Sequence, residues 1–379
     1  MKVFHRQLLV AWIVLINMLF SVAFAFENTE KPAQEVSSET SEGVFSGLFR
    51  MGYISINPNN AESAQGSAIG GELSYSSASW NGISATGSLY TTQKLFNDPN
   101  GGFFSSEGES YSILGQAYAQ VNLASTEIKI GRFAFDSPHA GTDDVRMIPN
   151  TFSGILVSNT DLTDTTVYLA HLDQWAGAGA YQPEEFTDLN NSDGVNVVGV
   201  VYQGFDDVAL QSWYYNASNL YNLFYLEAMV DKGDFSFGGQ YGKQSNKSAV
   251  RVGSGGELFG IKASYNINDF KLSGAYNYVS GTVVKGFSGG PFFTNAADHT
   301  IADHTIADVV DQRALALGID YVGIDNVTIG LLNVAFDKGA DELDLFISYD
   351  FGNAMTFDFI YHNIHEDGDL VLAMFNLGF

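Results

Sequence analysis

Glu257 to Ile267 reads ELFGIKASYNI, and its side chains sort by alternate position: Phe259, Ile261, Ala263, Tyr265 and Ile267 fall on one face, Gly260, Lys262, Ser264 and Asn266 on the other. A period of two belongs to a strand, because successive side chains leave a pleated backbone on opposite sides. Two further stretches divide in the same way. In Ile113 to Leu123, the residues Ile113, Ala117, Ala119 and Val121 oppose Gln116, Tyr118, Gln120 and Asn122. In Ala354 to His362, Met355, Phe357, Phe359 and Tyr361 oppose Thr356, Asp358 and His362. Each segment has one apolar face and one wet face.

About eighteen such segments run from Val44 to Phe379, and the connections between them alternate in length. Tight turns rich in Gly, Asn and Asp read at Asn81-Gly82, Leu123 to Thr126, Thr160 to Asp164, Gly204 to Asp207, Asp231 to Asp234, Asn268-Asp269, Gly323 to Asn326 and Gly352-Asn353. Between them lie longer connections: Thr92 to Ser110, Phe135 to Asn150, Asp173 to Asp193, Gln244 to Gly255 and Gly281 to Asp311. Short turns at one end and long loops at the other are the layout of an outer-membrane barrel. Lipid offers no hydrogen-bond partners, so such a sheet must close on itself. The fold expected is all-β: a closed transmembrane antiparallel β-barrel of about 18 strands. A secreted sandwich, propeller or solenoid also alternates. The abundant Gly, Ser, Asn and Gln of the wet faces instead suit a hydrated lumen, and Tyr278, Tyr349, Phe351 and Tyr361 near strand ends suit interfacial girdles.

Composition narrows the function classes. Charged residues make up 16% of the 379, against about one-quarter in an average soluble chain. Outside the first 25 residues no apolar run is long enough to cross a bilayer as a helix. Cysteine is absent, which removes disulfides, thiolate metal sites and Cys nucleophiles together. Acids outnumber bases 43 to 17, so nucleic acid is not an expected partner. At the N-terminus Lys2, His5 and Arg6 precede the apolar stretch Leu8 to Phe20, and Ala23-Phe24-Ala25 supplies a small-residue cleavage site. Residues 1–25 are expected to be a signal peptide, residues 26–43 a disordered acidic arm, and residues 44–379 the barrel.

Asp369 to Phe379, DLVLAMFNLGF, places Val371, Ala373, Phe375 and Leu377 at alternate positions before a final aromatic. This resembles the C-terminal signal that the barrel-assembly machinery reads in outer-membrane proteins, with Phe379, Leu377 and Phe375 as its elements. Ile128 to Val157, IKIGRFAFDSPHAGTDDVRMIPNTFSGILV, resembles the OprD-type outer-membrane porins, in which a G-R strand leads through a Pro-containing loop to a D-x-R-x-x-P-x-x-F-x-G run. The matching positions are Gly131, Arg132, Pro138, Asp144, Arg146, Pro149, Phe152 and Gly154. Gly47 to Tyr53 (GLFRMGY) and Gly286 to Phe293 (GFSGGPFF) resemble the family's epsilonproteobacterial branch. The resemblance implies a third extracellular loop folded into the lumen and a ladder of basic wall residues for carboxylated solutes.

The residues support that implication in part. Asp136, Asp143, Asp144 and Arg146 share one loop, where opposed charges can set a field across a pore. Alternation places Arg50, Lys129, Lys262 and Lys271 on wet faces, and also Glu72, Glu127, Glu227, Asp344 and Asp358, so the wall reads as mixed rather than cationic. Arg132 falls with Ile128 and Ile130 on the lipid side, which a bulge or a strand-end position would accommodate. The duplicated ADHTI of Ala297 to Asp308 brings together Asp298, His299, Asp303 and His304, but nothing fixes them around a metal. Asp188 to Gly194 departs from a calcium loop in the place of its Gly and the missing final Glu. Hydrolase signatures are absent, leaving only His171 with a neighbouring serine as a barrel-lipase alternative.

The expectation is an outer-membrane porin, not an enzyme and without cofactor or metal, that passes small hydrophilic solutes passively through a loop-constricted pore. The alternatives are a selective channel for carboxylate-bearing nutrients and, in another class, a non-conducting adhesin or structural barrel. Expected partners are outer-membrane lipid and lipopolysaccharide, the assembly machinery and the solutes. Monomer and homotrimer both remain open.

Overall fold

A computed structural model describes residues 42–96, 102–247, 255–295, 307 and 309–379. The expected signal peptide, all but the last two residues of the expected arm, and the ADHTI duplication apart from Ala307 lie outside the described residues. The described residues form nineteen strands in one sheet. They are β1 (Val44–Pro58), β2 (Ala64–Ser76), β3 (Ile83–Lys94), β4 (Tyr111–Leu123), β5 (Thr126–Phe133), β6 (Thr151–Asn159), β7 (Thr165–Ala176), β8 (Thr187–Asp188), β9 (Val195–Phe205) and β10 (Val208–Ala217). There follow β11 (Tyr221–Lys232), β12 (Phe235–Asn246), β13 (Gly255–Ile267), β14 (Phe270–Gly281), β15 (Arg313–Ile324), β16 (Val327–Phe336), β17 (Glu342–Gly352), β18 (Met355–Ile364) and β19 (Gly368–Gly378). Two-residue β8 is a ladder inside the loop after β7. The other eighteen strands pair antiparallel with their chain neighbours, and β1 pairs with β19 to close the barrel.

Each of the eight expected tight turns joins a strand pair at one end of the barrel, which is the end reached by Val44 and Phe379. Left-handed residues make these turns, as at Asn81 (φ 51°) and Gly82 (φ 79°), Asn268 (φ 53°), and Gly352 (φ 79°) with Asn353 (φ 53°). The outer face carries paired rings close to that end: Phe45 with Tyr75 at 4.7 Å, Phe235 with Tyr265 at 4.4 Å, Phe270 with Tyr321 at 4.9 Å, and Tyr349 with Phe351 at 4.6 Å. Aromatic rings of this kind form girdles where hydrocarbon meets headgroups, the tyrosines with their hydroxyls toward water.

Alternation assigns the two faces correctly along β13, β18 and β19. Phe259 and Ile261 are exposed while Leu258 and Lys262 are buried. In β4 the pattern slips. Ser88 pairs with Gln116 but Leu89 pairs with Leu114, so Gly115 is an extra residue in a bulge. Upstream of that bulge the faces swap: Ile113 is turned inward and buried, and Leu114 is exposed. The assignment of Ile113 to the apolar outer face is therefore corrected. A second break of regularity has a clear purpose. Gly131 (φ 128°) and Gly154 (φ 154°) stand directly opposite each other on β5 and β6, and a Cβ at either would fall within 2.2 Å of a carbonyl oxygen of the adjoining strand. Both are glycines of the Ile128 to Val157 motif, and they sit near the base of the loop that enters the lumen.

Candidate functional site

Residues 134–150, between β5 and β6, turn inward rather than standing above the barrel. Phe133, Phe135, Met147, Ile148 and Phe152 are buried there in one apolar cluster with Trp213, Tyr215 and Tyr225 of the wall. The loop reaches Arg50 on β1, four strands round the wall from β5. Arg50 donates from Nη1 to Oδ1 of Asp144 at 2.5 Å and from Nη2 to Oδ2 at 2.6 Å, while Nη1 also donates to the Arg146 carbonyl at 2.8 Å. Its Nε donates to Asn376 Oδ1 at 3.0 Å. A guanidinium holding a carboxylate through two parallel bonds fixes distance and orientation together.

Asp144 on the loop is opposed by Arg50 on β1, 94 positions away in sequence, a pairing that the sequence did not reveal. The Asp136 carboxylate accepts from the Thr142 amide and hydroxyl, each at 2.8 Å, and closes the loop on itself. Asp143 supplies a left-handed kink (φ 42°) next to the clamp.

A second loop joins the first, and the sequence reading missed it. Between β14 and β15, residues 282–295 pass into the lumen, burying Val283, Val284, Phe292 and Phe293. The Phe287 amide donates to the His139 carbonyl at 2.8 Å, and Ala140 bridges to Phe287. On the wall side, the Thr294 amide and hydroxyl donate to Asn277 Oδ1 at 3.0 Å, and Gln240 donates to the Pro291 carbonyl at 2.9 Å. A Gly-rich segment ending in Pro-Phe-Phe is unusually apolar for an exposed loop, and that was the available signal.

His139 sits where the loops meet. It is 1% exposed, ringed by Tyr215, Tyr225 and Phe292 with centroids 5.5 to 6.1 Å away. Its Nδ1 lies 3.2 Å from the Lys285 carbonyl oxygen. Burial pushes its pKa down to about 3, against a smaller upward pull from the Lys285 and Val284 carbonyls. Because the folded value lies below the unfolded one, the loop packing is at full strength above about pH 6.5 and weakens as pH falls toward 3, by about 1.4 kcal/mol per pH unit. Acidification below pH 6 should therefore increase current noise and mean conductance in wild type. A His139→Phe channel, which has nothing to protonate there, should not respond. An identical acid response in both would remove His139 as the cause.

The remaining charges named from the sequence lie on the inner face, mostly in pairs. Lys129 Nζ is 3.2 Å from Glu127 and 5.4 Å from the centre of the Tyr118 ring. Glu227, 1% exposed, accepts from Gln211 at 3.1 Å and from the Tyr225 hydroxyl at 2.5 Å. Lys262 lies over the Phe293 ring at 4.7 Å. Asp358 accepts from Ser348 at 2.7 Å and Asn376 at 3.0 Å. Glu72 takes a 3.3 Å bond from Gln116, and Lys271 stands opposite Asp320 in the β14–β15 register. Asp344 is fully buried, 2.7 Å from Nδ1 of His362. The wet faces are also less wet than the sequence implied: Leu332, Phe346, Ile360, Leu370, Leu372 and Met374 are buried on the inner face of β16 to β19.

The other candidates resolve simply. Arg132 remains on the outer face one residue from the end of β5, its guanidinium 4.3 Å from the centre of the Phe186 ring and its Nη1 donating to the Leu114 carbonyl at 3.3 Å. A strand-end position covered by a loop is what accommodates it. His171 is partnered by Asn196 and Asp173, not by a serine, so the lipase alternative has no nucleophile there. Asp188 to Gly194 is stitched into its loop, with Asp188 accepting from Gln174 and Ser192.

A closed barrel of eighteen antiparallel strands, with loops packed into its lumen and pinned to its wall, is the architecture of an outer-membrane channel. The model of the outer membrane porin, OprD family, matches residues 99–304, and the chain belongs to that family. It is therefore a non-enzymatic channel of the bacterial outer membrane. Solved structures of the same fold include Acinetobacter baumannii OccAB4 (14% identity, TM-score 0.74, 91% of this chain and 99% of that one). Others are Pseudomonas aeruginosa OpdK with vanillate (16%, TM-score 0.74, 89% and 98%) and Pseudomonas aeruginosa OccK8, also called OprE (17%, TM-score 0.73, 90% and 99%). No curated protein sequence matches this chain significantly.

Proposed function

We propose that this protein is a substrate-selective channel for small carboxylate-bearing solutes, rather than a general sieve. The observation that carries the proposal is the Arg50–Asp144 clamp within a constriction built by two mutually packed loops. A sieve needs only a narrow opening, whereas selection needs charges held in place, and here Arg50 and Arg146 are brought to the tip of a loop that cannot drift. Lys129, against Tyr118 and beside Glu127, offers a further cation next to an aromatic face. OpdK, whose structure holds vanillate, an aromatic carboxylate, supports the same reading by likeness of fold. The GLFRMGY and GFSGGPFF segments support placement in the epsilonproteobacterial branch, and the first of them contains Arg50. The wall residues named above are proposed to line the permeation path, and the assembly machinery to read the Phe375, Leu377 and Phe379 strand.

Proteoliposome uptake tests the proposal: benzoate-sized carboxylates should enter faster than neutral solutes of equal size, and Arg146→Gln should narrow the difference. Equal rates in wild type would sink it. Simple ions should behave differently, because they sense net lining charge over a screening length of about 8 to 10 Å. The inner face includes Glu72, Glu127, Glu227, Asp320, Glu342, Asp344, Asp350 and Asp358 against Arg50, Lys94, Lys129, Lys262 and Lys271. Weak cation preference is expected from the reversal potential under a KCl gradient, strongest at low salt. A clear anion preference would mean that Arg50, Lys129 and Arg146 govern the narrowest section, and neutralising those three would then abolish it.

A further inference from the structure

Glu342 and Asp344 are two residues apart on β17, so both point to its inner face, and His362 lies directly opposite Asp344 on β18. The three converge. His362 Nδ1 is 2.7 Å from Asp344 Oδ1 and 3.5 Å from Glu342 Oε1, and one donor atom from each residue lies within 4.8 Å of the others. Glu342 and Asp344 are 0% exposed and His362 is 2% exposed. Among the described residues this is the one group of three His or acidic side chains that come together in this way. From this geometry we infer that the channel holds a borderline divalent cation, of the zinc class, between β17 and β18 in the half of the lumen nearest the long loops.

The donor set argues for the class of ion. Two carboxylates and one imidazole match zinc and its neighbours better than calcium, which prefers six to eight oxygens. Zinc bound at about 2.0 to 2.2 Å would separate neighbouring tetrahedral ligands by about 3.3 Å. The present spacing needs an adjustment of about an ångström, within reach of rotation in the Glu342 side chain. Three protein ligands leave a fourth position for water or for an oxygen of a passing solute. The strand register supplies the rigidity: the β17–β18 ladder runs unbroken from Glu342↔Ile364 to Asp350↔Thr356, so Asp344 and His362 cannot slip apart without breaking several rungs. Phe346, with its ring centroid 6.1 Å from the His362 ring, packs against the imidazole and limits its rotation. An occupied site would add two positive charges to the most acidic sector of the inner wall.

Isothermal titration of detergent-purified, EDTA-stripped channel with zinc chloride tests the inference without depending on transport or on the carboxylate reading. Wild type should bind about one zinc per chain, with magnesium failing to compete. His362→Gln and Asp344→Asn should each weaken binding about tenfold or more, while heat-modifiable mobility on gels confirms that each variant is still a folded barrel. Should either variant fail to fold, Glu342→Gln provides the same comparison. Absence of zinc binding by wild type would overturn the inference. So would binding that survives these substitutions and is lost when His299 and His304 are replaced, since the duplicated ADHTI segment would then be the site.

Discussion

Deleting Asp143 to Arg146 is expected to produce a large rise in single-channel conductance while leaving the thermal unfolding of the barrel nearly unchanged. The two effects separate because they rest on different parts of the molecule. Barrel stability resides in the ladders between eighteen strands, none of which includes these residues. The position of the loop tip rests on Arg50, whose guanidinium spends three of its four bonds on Asp144 and the Arg146 carbonyl. The point substitution Asp144→Asn should give a smaller version of the same result. Removing one partner of a buried ion pair costs about 3 to 5 kcal/mol, because the remaining charge keeps its desolvation penalty. Arg50 could recover solvation only by letting the loop tip move away, so the Asn channel should flicker between conductance levels. Arg50→Met combined with Asp144→Leu should be quieter than either single variant, since an apolar pair of similar size leaves no stranded charge. Planar-bilayer recording of wild type and these variants settles the matter, and unchanged conductance in the deletion would place this loop outside the permeation path.

Removing Phe379 is expected to lower the yield of folded protein in the outer membrane several-fold and to leave unfolded chain in the periplasm. The structural reason lies at the seam. Gly47 donates to the Phe379 carbonyl at 2.9 Å and Phe379 donates to the Gly47 carbonyl at 3.0 Å, forming the last rung between β1 and β19 at the short-turn end. The ring lies against Gly47 so closely that a Cβ there would come within 2.3 Å of it, and it is 66% exposed on the side where lipid would stand. Closure of the first strand on the last is the step that leaves no open edge in hydrocarbon, and a seam missing its terminal rung and interfacial ring should close more slowly. Phe379→Tyr should recover the yield and Phe379→Ser should not, because the ring's interfacial affinity is the property at stake. Fractionation and heat-modifiability measure this directly. A normal yield from the truncated chain would remove the seam and the recognition role together.

Much of this molecule is legible in local pattern. Period-two alternation identifies strands from a few neighbouring residues, and Asn81-Gly82 or Asn268-Asp269 declares a turn because only certain residues tolerate left-handed backbone. Those signals gave the strand number, the alternation of turns and loops, and closure, since an unclosed sheet has no solvent in which to leave its edge. They also placed Arg50, Lys129, Glu227, Asp344 and Asp358 on inner faces, where parity is all that matters. Parity failed at Ile113 because the bulge at Gly115 is decided by pairing with β3. What no local pattern could give is which distant residues meet. Arg50 meets Asp144 through an inward-turned loop rooted four strands away. The Phe292-bearing loop and His139 meet because each buries apolar surface that neither can bury alone. Glu342, Asp344 and His362 converge through the register between two strands. Local backbone geometry and solvent determined the fold class from the sequence by itself, whereas the charges that meet inside the lumen were decided by tertiary packing, because that depends on register and on the burial of loops against the wall.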